Sequence, residues 1–237
     1  MGKKRVGILG GTFDPPHLGH LLLAETIRED FDLDEVLFIP SNEPPHKDRP
    51  DLTAATHRYA MVVAATLHNP AFSPSAVEVN RAGKSYSVET VRSLEEQLGA
   101  ETEMFFVAGL DSFLAIQTWK RFEELLDLCH FVVVARPGNS FERVLEVLPE
   151  RFHPRVVDVR GGRADRADKG AGSTASEVAP WRIHLSDAVF LDVSATEIRA
   201  RARAGRSIRY RVTPEVERYV QTHGLYEQAV PARGAVT

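Results

Sequence analysis

Two histidines, His17 and His20, stand three residues apart in the string Gly10-Gly11-Thr12-Phe13-Asp14-Pro15-Pro16-His17-Leu18-Gly19-His20, which follows directly on the apolar run Val6 to Leu9. A strand that feeds a glycine pair lets the backbone approach a ligand closely. A helix opening near Leu18 aims unpaired N–H groups and the positive end of its dipole at the same point. Together they make an anion site. On a first turn, residues three apart share a face, so the two imidazoles can present N–H donors to phosphate oxygens while Gly19 leaves room beside them. Taken singly, either histidine can equally be a helix cap or a buried ring near a tight turn. Asp14 also has two readings: a carboxylate that reaches a metal through water, or an Asx-turn ahead of Pro15.

Such groups need a frame. Apolar, β-branched runs at Val6 to Leu9, Val36 to Ile39, Met104 to Val107 and Phe131 to Ala135 alternate with helically spaced stretches at Leu18 to Glu29, Thr56 to Leu67 and Val88 to Leu98. Near-continuous apolar strands separated by helices predict an α/β class with a doubly wound parallel sheet, whose ligands lie beyond the carboxyl ends of the strands. Val189 to Val193 reads as a last strand. Thr196 to Ala204 and Pro214 to Gln221 follow as helices, with Gly224 just past the end of the second. The division expected is an α/β core over 1–193 with a mobile insertion at 160–180 rich in Gly, Ala and charge, a small helical C-terminal part over 194–228, and a frayed tail over 229–237.

Composition narrows the class of function. Of 237 residues, 43% are hydrophobic and 26% charged, which is ordinary globular usage and excludes global disorder. The net charge of -4 gives no reason to expect a nucleic-acid partner. No apolar run approaches the ~20 residues of a membrane span, and no signal peptide is recognisable, so a cytoplasmic location is expected. The single cysteine, Cys129, reads as a core residue rather than a catalytic thiol.

Rival motifs fail on spacing. Gly7, Gly10 and Gly11 do not form GxGxxG, and Gly83-Lys84-Ser85 resembles the end of a P-loop whose first glycine is replaced by Glu78. GxSxG and HExxH are absent. What GGTFDPPHLGH does resemble is the phosphate-binding signature of the HxGH nucleotidyltransferases, specifically the bacterial nicotinate-mononucleotide adenylyltransferases. Further segments are similar to that family in order: PSNEPPHK from Pro40, SYSVET from Ser85, GLDSFLAIQTWKRFEEL from Gly109, ARPG from Ala135, SATEIR from Ser194 and IRYRVTPEVERYVQTHGLY from Ile208. The likeness spans Arg5 to Tyr226 except for the insertion.

The resemblance implies ATP binding by Gly10, Gly11, Thr12, Phe13, His17, His20, Gly109, Asp111, Arg136, Ser194, Thr196 and Arg199. It implies mononucleotide binding by Thr12, Asn42, Lys47, Ser87 and Trp119, and catalytic roles for His17, His20, Lys47 and Arg199. Each has a plainer reading as well. Lys47 can be a solvated loop lysine, and Asp111 can cap the next helix instead of accepting ribose hydroxyls. Trp119, opening an amphipathic helix, can be core instead of stacking on a pyridine ring. Ser194 and Arg199 can be an N-cap and a surface arginine instead of polyphosphate ligands. Ala195 stands where the family usually has a second serine. Arg201, Arg203, Arg206, Arg209 and Arg211 read as a solvated basic cluster.

The activity this implies is transfer of the adenylyl group of ATP to nicotinate mononucleotide, giving nicotinate adenine dinucleotide and pyrophosphate in NAD biosynthesis. Mg²⁺ would be held mainly by the ATP phosphates and not by a protein metal site. Phosphopantetheine adenylyltransferases share HxGH but are typically shorter and lack the PPHK and SYSVET segments. A nucleotide sensor that has lost catalysis fits less well with an intact His17, His20 and Arg199.

Overall fold

A computed structural model describes residues 3–44, 51–135, 140–161, 181–187 and 191–227. Its elements run β1 (Lys4–Gly11), α1 (Leu18–Asp30), β2 (Glu35–Pro40), α2 (Ala55–Thr66), β3 (Phe72–Pro74), α3 (Ser87–Leu98) and β4 (Thr102–Gly109). There follow α4 (Leu110–Phe113), α5 (Phe122–Leu126), β5 (His130–Val134), α6 (Val144–Val147), β6 (Val156–Asp158), β7 (Ile183–Ser186), α7 (Ala195–Arg203) and α8 (Pro214–Thr222).

The seven strands form one sheet in the order β3-β2-β1-β4-β5-β7-β6, and every pairing is parallel. The strands read as unbroken apolar runs because both faces are covered. Met104, Phe106 and Ala108 of β4 join Val88, Val91 and Leu94 of α3 on one side, while Phe105 and Val107 join Ala24 and Ile27 of α1 on the other. The chain builds outward from β1 through β2 to β3, then crosses back to lay β4 on the other flank of β1. That reversal opens a crevice at the carboxyl ends of β1 and β4, the place where doubly wound sheets bind ligands. The expected fold class is therefore present.

The C-terminal helices share a small core with α2: Ile198 of α7, Ile208, Val212, and Val216 and Val220 of α8 gather around Met61. Local chemistry sets their ends. Ser194 caps α7 by accepting the Glu197 N–H at 3.1 Å, Thr213 caps α8 with Pro214 in its first turn, and Gly224 takes a φ of 57° just beyond.

Two elements correct the sequence reading. The strand that closes the sheet on β5 is Ile183–Ser186, and Leu191 to Val193, the described end of the expected last strand, has no strand structure. Ile-His-Leu-Ser alternates polar with apolar residues and so lacks the apolar run that marks the inner strands, although its hydrogen bonding is the same. The helix expected to open at Trp119 begins at Phe122, because Arg121 takes a left-handed φ of 50° and breaks the run. Of the insertion expected at 160–180, residues 162–180 lie outside the described residues, as does the tail over 229–237.

Candidate active site

β1 delivers the chain into a turn from Thr12 to His17 whose inner side is filled by Phe13, a buried ring with φ 50°. Phe13 meets His20 edge-on at 4.9 Å, and His20 stacks on His17 with ring centroids 3.7 Å apart. The backbone N–H of His17, the residue before α1, donates to Nδ1 of His20 at 3.1 Å. With Nδ1 accepting, the proton of a neutral His20 ring lies on Nε2. Burial lowers the pKa of His17 to about 4, so its ring is neutral at neutral pH and acts as a dipolar donor. Gly19 stands between them in a tight fit. A Cβ there would meet the His17 ring at 3.1 Å and the Leu191 carbonyl at 3.3 Å.

A cavity of about 640 Å³ opens beside this turn, over the carboxyl ends of β1, β2 and β4. Gly10, Gly11, Thr12, Ser87, Gly109 and Trp119, all expected as ligand residues, line it. Nothing lies within 4 Å of the Cβ positions of Gly10 or Gly109, so both strand ends face open space where a ligand can reach the backbone. Trp119 lines the cavity and meets Phe106, which lines it too, edge-on at 5.9 Å. Ser87 is the first residue of α3, which brings that helix's N-terminus to the cavity wall.

Arg199 of α7 is almost fully buried and joins the histidine turn by donating from Nη1 to the Asp14 carbonyl at 2.6 Å, with Nη2 on Thr196 Oγ at 3.3 Å. A surface arginine is thereby excluded. The Asp14 carboxylate, also buried, accepts the Tyr226 hydroxyl at 2.8 Å. Burial and the Asp14 charge both push the Tyr226 phenol well above its usual range. Asp14 is thus a tie between the histidine turn, α7 and the segment after α8.

The structure brings His17, His20 and Phe13 to the start of α1, ties Arg199, with Thr196 on its guanidinium, to that turn through the Asp14 carbonyl, and sets the glycine pair, Thr12, Gly109, Ser87 and Trp119 around the cavity. Ser194 is exposed and caps α7, so its plainer reading holds as well. Asp111 is exposed in the first turn of α4, outside the cavity lining. Asn42 holds its own loop, its N–H donating to Ser85 Oγ at 3.0 Å and its Nδ2 to the Arg81 carbonyl at 2.8 Å. Lys47 and Arg136 lie outside the described residues. Sequence reasoning missed Tyr226 and Arg58. For Arg58 a signal existed: helical spacing puts it on the face of Met61 and Val62, an odd place for a charge.

Comparison with known proteins agrees with this geometry. The chain matches the cytidylyltransferase-like family over residues 8–201. A relative from Thermoanaerobacter sp. (strain X514), named nicotinate-nucleotide adenylyltransferase, is 38% identical over 226 residues, covering 94% of this chain and 95% of its own. One of the same name from Geobacter sulfurreducens is 41% identical over 222 residues, covering 94% and 98%. Among solved structures, Plasmodium falciparum nicotinic acid mononucleotide adenylyltransferase complexed with NaAD superposes with a TM-score of 0.68 at 17% identity, covering 94% of this chain and 97% of that one. At that identity the likeness is one of fold. Paired histidines at the start of α1, a cavity at the reversal of the sheet and near-full-length relatives under one name lead to one assignment: the chain belongs to the cytidylyltransferase-like family and, within it, to the nicotinate-nucleotide adenylyltransferases.

Proposed function

We propose that the chain joins ATP and nicotinate mononucleotide into nicotinate adenine dinucleotide, with the mononucleotide in the cavity and the triphosphate between the starts of α1 and α7. An oxygen of the mononucleotide 5′-phosphate attacks the α-phosphorus of ATP. The new P–O bond forms as the bond from the α-phosphorus to the bridging oxygen breaks, and pyrophosphate leaves with that electron pair. Two anions must meet in line, so the barrier is lowered by alignment and charge stabilisation, without a protein nucleophile.

The observation that carries this reading is the His17–His20 pair at the start of α1, stacked at 3.7 Å and fixed by the His17 N–H on Nδ1 of His20. Neutral His17 adds a second imidazole without a counter-ion. Arg199, desolvated beside Thr196, supplies a cation in the first turns of α7, and the first-turn N–H groups of both helices add to it. Lys47 and Arg136 keep the phosphate and ATP roles that the resemblance implies. Trp119, on the cavity wall, offers its ring to the pyridine, and Ser87 at the α3 N-terminus lines the same cavity.

Mg²⁺ belongs to this reading as part of the ATP substrate. Among the described residues no three His, Cys, Asp or Glu side chains gather as a metal site, and the Asp14 carboxylate is engaged by Tyr226. An ion riding on the phosphates would neutralise their charge; no step above depends on it. The test is pyrophosphate release with nicotinate and nicotinamide mononucleotides compared in one assay. Faster turnover of the nicotinate substrate supports the reading, and turnover of neither removes it.

A further inference from the structure

β1 and β2 run side by side until Gly11 stands opposite Pro40, and the last rung between them is the Ser41 N–H on the Gly11 carbonyl at 2.9 Å. Past that rung the two chains part. One becomes Thr12 and the histidine turn, the other Asn42 and the loop that begins PSNEPPHK. At the fork stands Arg58, from the first turn of α2, 1% exposed. Its Nη1 donates to the Thr12 carbonyl at 2.9 Å, its Nη2 to the Asn42 carbonyl at 2.8 Å and its Nε to the Thr53 carbonyl at 2.8 Å. A guanidinium is planar with donors in fixed directions, so three acceptors held by one group are held at fixed distances from one another. In a buried setting such charge-assisted bonds are strong, and a carbonyl left without its donor is costly.

We propose that Arg58 is a positioning residue of the transfer step: it fixes the spacing between the loop that holds ATP and the loop that holds the mononucleotide. The inference rests on the adenylyl-transfer reading above. Arg58 reaches the reacting groups only through the backbone of Thr12 and Asn42. On the ATP side the glycines and histidines keep their contacts without it. The mononucleotide side keeps Trp119 and Ser87, and the Asn42 loop keeps its bonds to Ser85 and Arg81. What depends on Arg58 is the register of one loop against the other, and with it the distance from the attacking phosphate to the α-phosphorus. Misplacement by roughly 1 Å is enough to cost about 10²-fold in rate.

Arg58→Lys tests this, because an ammonium keeps the charge but cannot span three carbonyls. The expected result is a folded protein whose separate dissociation constants for a non-hydrolysable ATP analogue and for nicotinate mononucleotide stay within about 3-fold of wild type, while kcat falls roughly 10- to 100-fold. Amide exchange over residues 41–44 should also quicken in the free protein. If wild type made no dinucleotide, the adenylyl-transfer reading would fall and the exchange result alone would judge Arg58. A folded Arg58→Lys enzyme with wild-type kcat, or unchanged exchange over 41–44, overturns the proposal. So does a loss of affinity for both ligands at constant kcat. Failure of both Arg58→Lys and Arg58→Gln to fold also overturns it, since Arg58 would then be a core residue.

Discussion

His20 is held on three sides: Phe13 against its edge, His17 across its face and the His17 N–H on Nδ1. A donor so fixed needs little reorganisation as charge builds on phosphate, which is where enzymes gain most. His20→Ala is expected to fold and to lower kcat by roughly 10²-fold or more, read by steady-state dinucleotide synthesis. Wild-type turnover in the purified variant would remove its phosphate role. Trp119 separates binding from chemistry. Because the ring lines the cavity and meets Phe106 edge-on, Trp119→Ala should raise KM for the mononucleotide much more than KM for ATP, and should lose about 0.5–1.5 kcal/mol of stability from the aromatic contact. Equal rises for both substrates would mean the ring is only core. The histidines were legible from the sequence because their spacing carried the chemistry. Tyr226 was not, since its partner Asp14 is distant along the chain and no local pattern announces a long-range hydrogen bond.

At the scale of elements, the inner strands and long helices follow from apolar periodicity, and α1, α2 and α3 lie within a residue or two of their expected limits. The three-residue edge strands β3 and β6 do not, because too few residues exist to show a period. β7 escaped for a different reason: its polar residues, His184 and Ser186, are buried by neighbours that only the assembled sheet supplies. The segment after α8 illustrates how an element far along the chain can set the site. Tyr226 reaches back to the buried carboxylate of Asp14, and the backbone carbonyl of Asp14 in turn receives Arg199. Tyr226→Phe should therefore cost about 1.5–3 kcal/mol by chemical denaturation, as expected for a lost hydrogen bond to a buried charge. It should also lower kcat, since the histidine turn and α7 share that tie. A stability change near zero would show the hydroxyl to be dispensable.

For the whole molecule, burial sets how stability depends on pH. His17 is held at about 4 by desolvation, and His130 at about 3 by desolvation first and then by the neighbouring His184 and the arginines Arg5, Arg155 and Arg182. His130 stacks on Phe105 at 4.6 Å and accepts the Arg182 N–H on Nδ1. Both pKa values lie below the unfolded value of about 6.5. The unfolded chain thus binds more protons below that pH, and stability present above it is lost as pH falls towards 4 and 3. Denaturation midpoints between pH 6.5 and 5, above the range of the carboxylates, should already decline, and less steeply in His130→Gln. A flat profile would contradict the burial. On the proposed function, the molecule moves an adenylyl group directly from ATP to nicotinate mononucleotide by aligning the two. Rapid-quench analysis with ATP labelled in its α-phosphate tests it. The label should pass in one step into nicotinate adenine dinucleotide, with pyrophosphate rising on the same time course. Label on the protein ahead of the dinucleotide, or no dinucleotide at all, would contradict it.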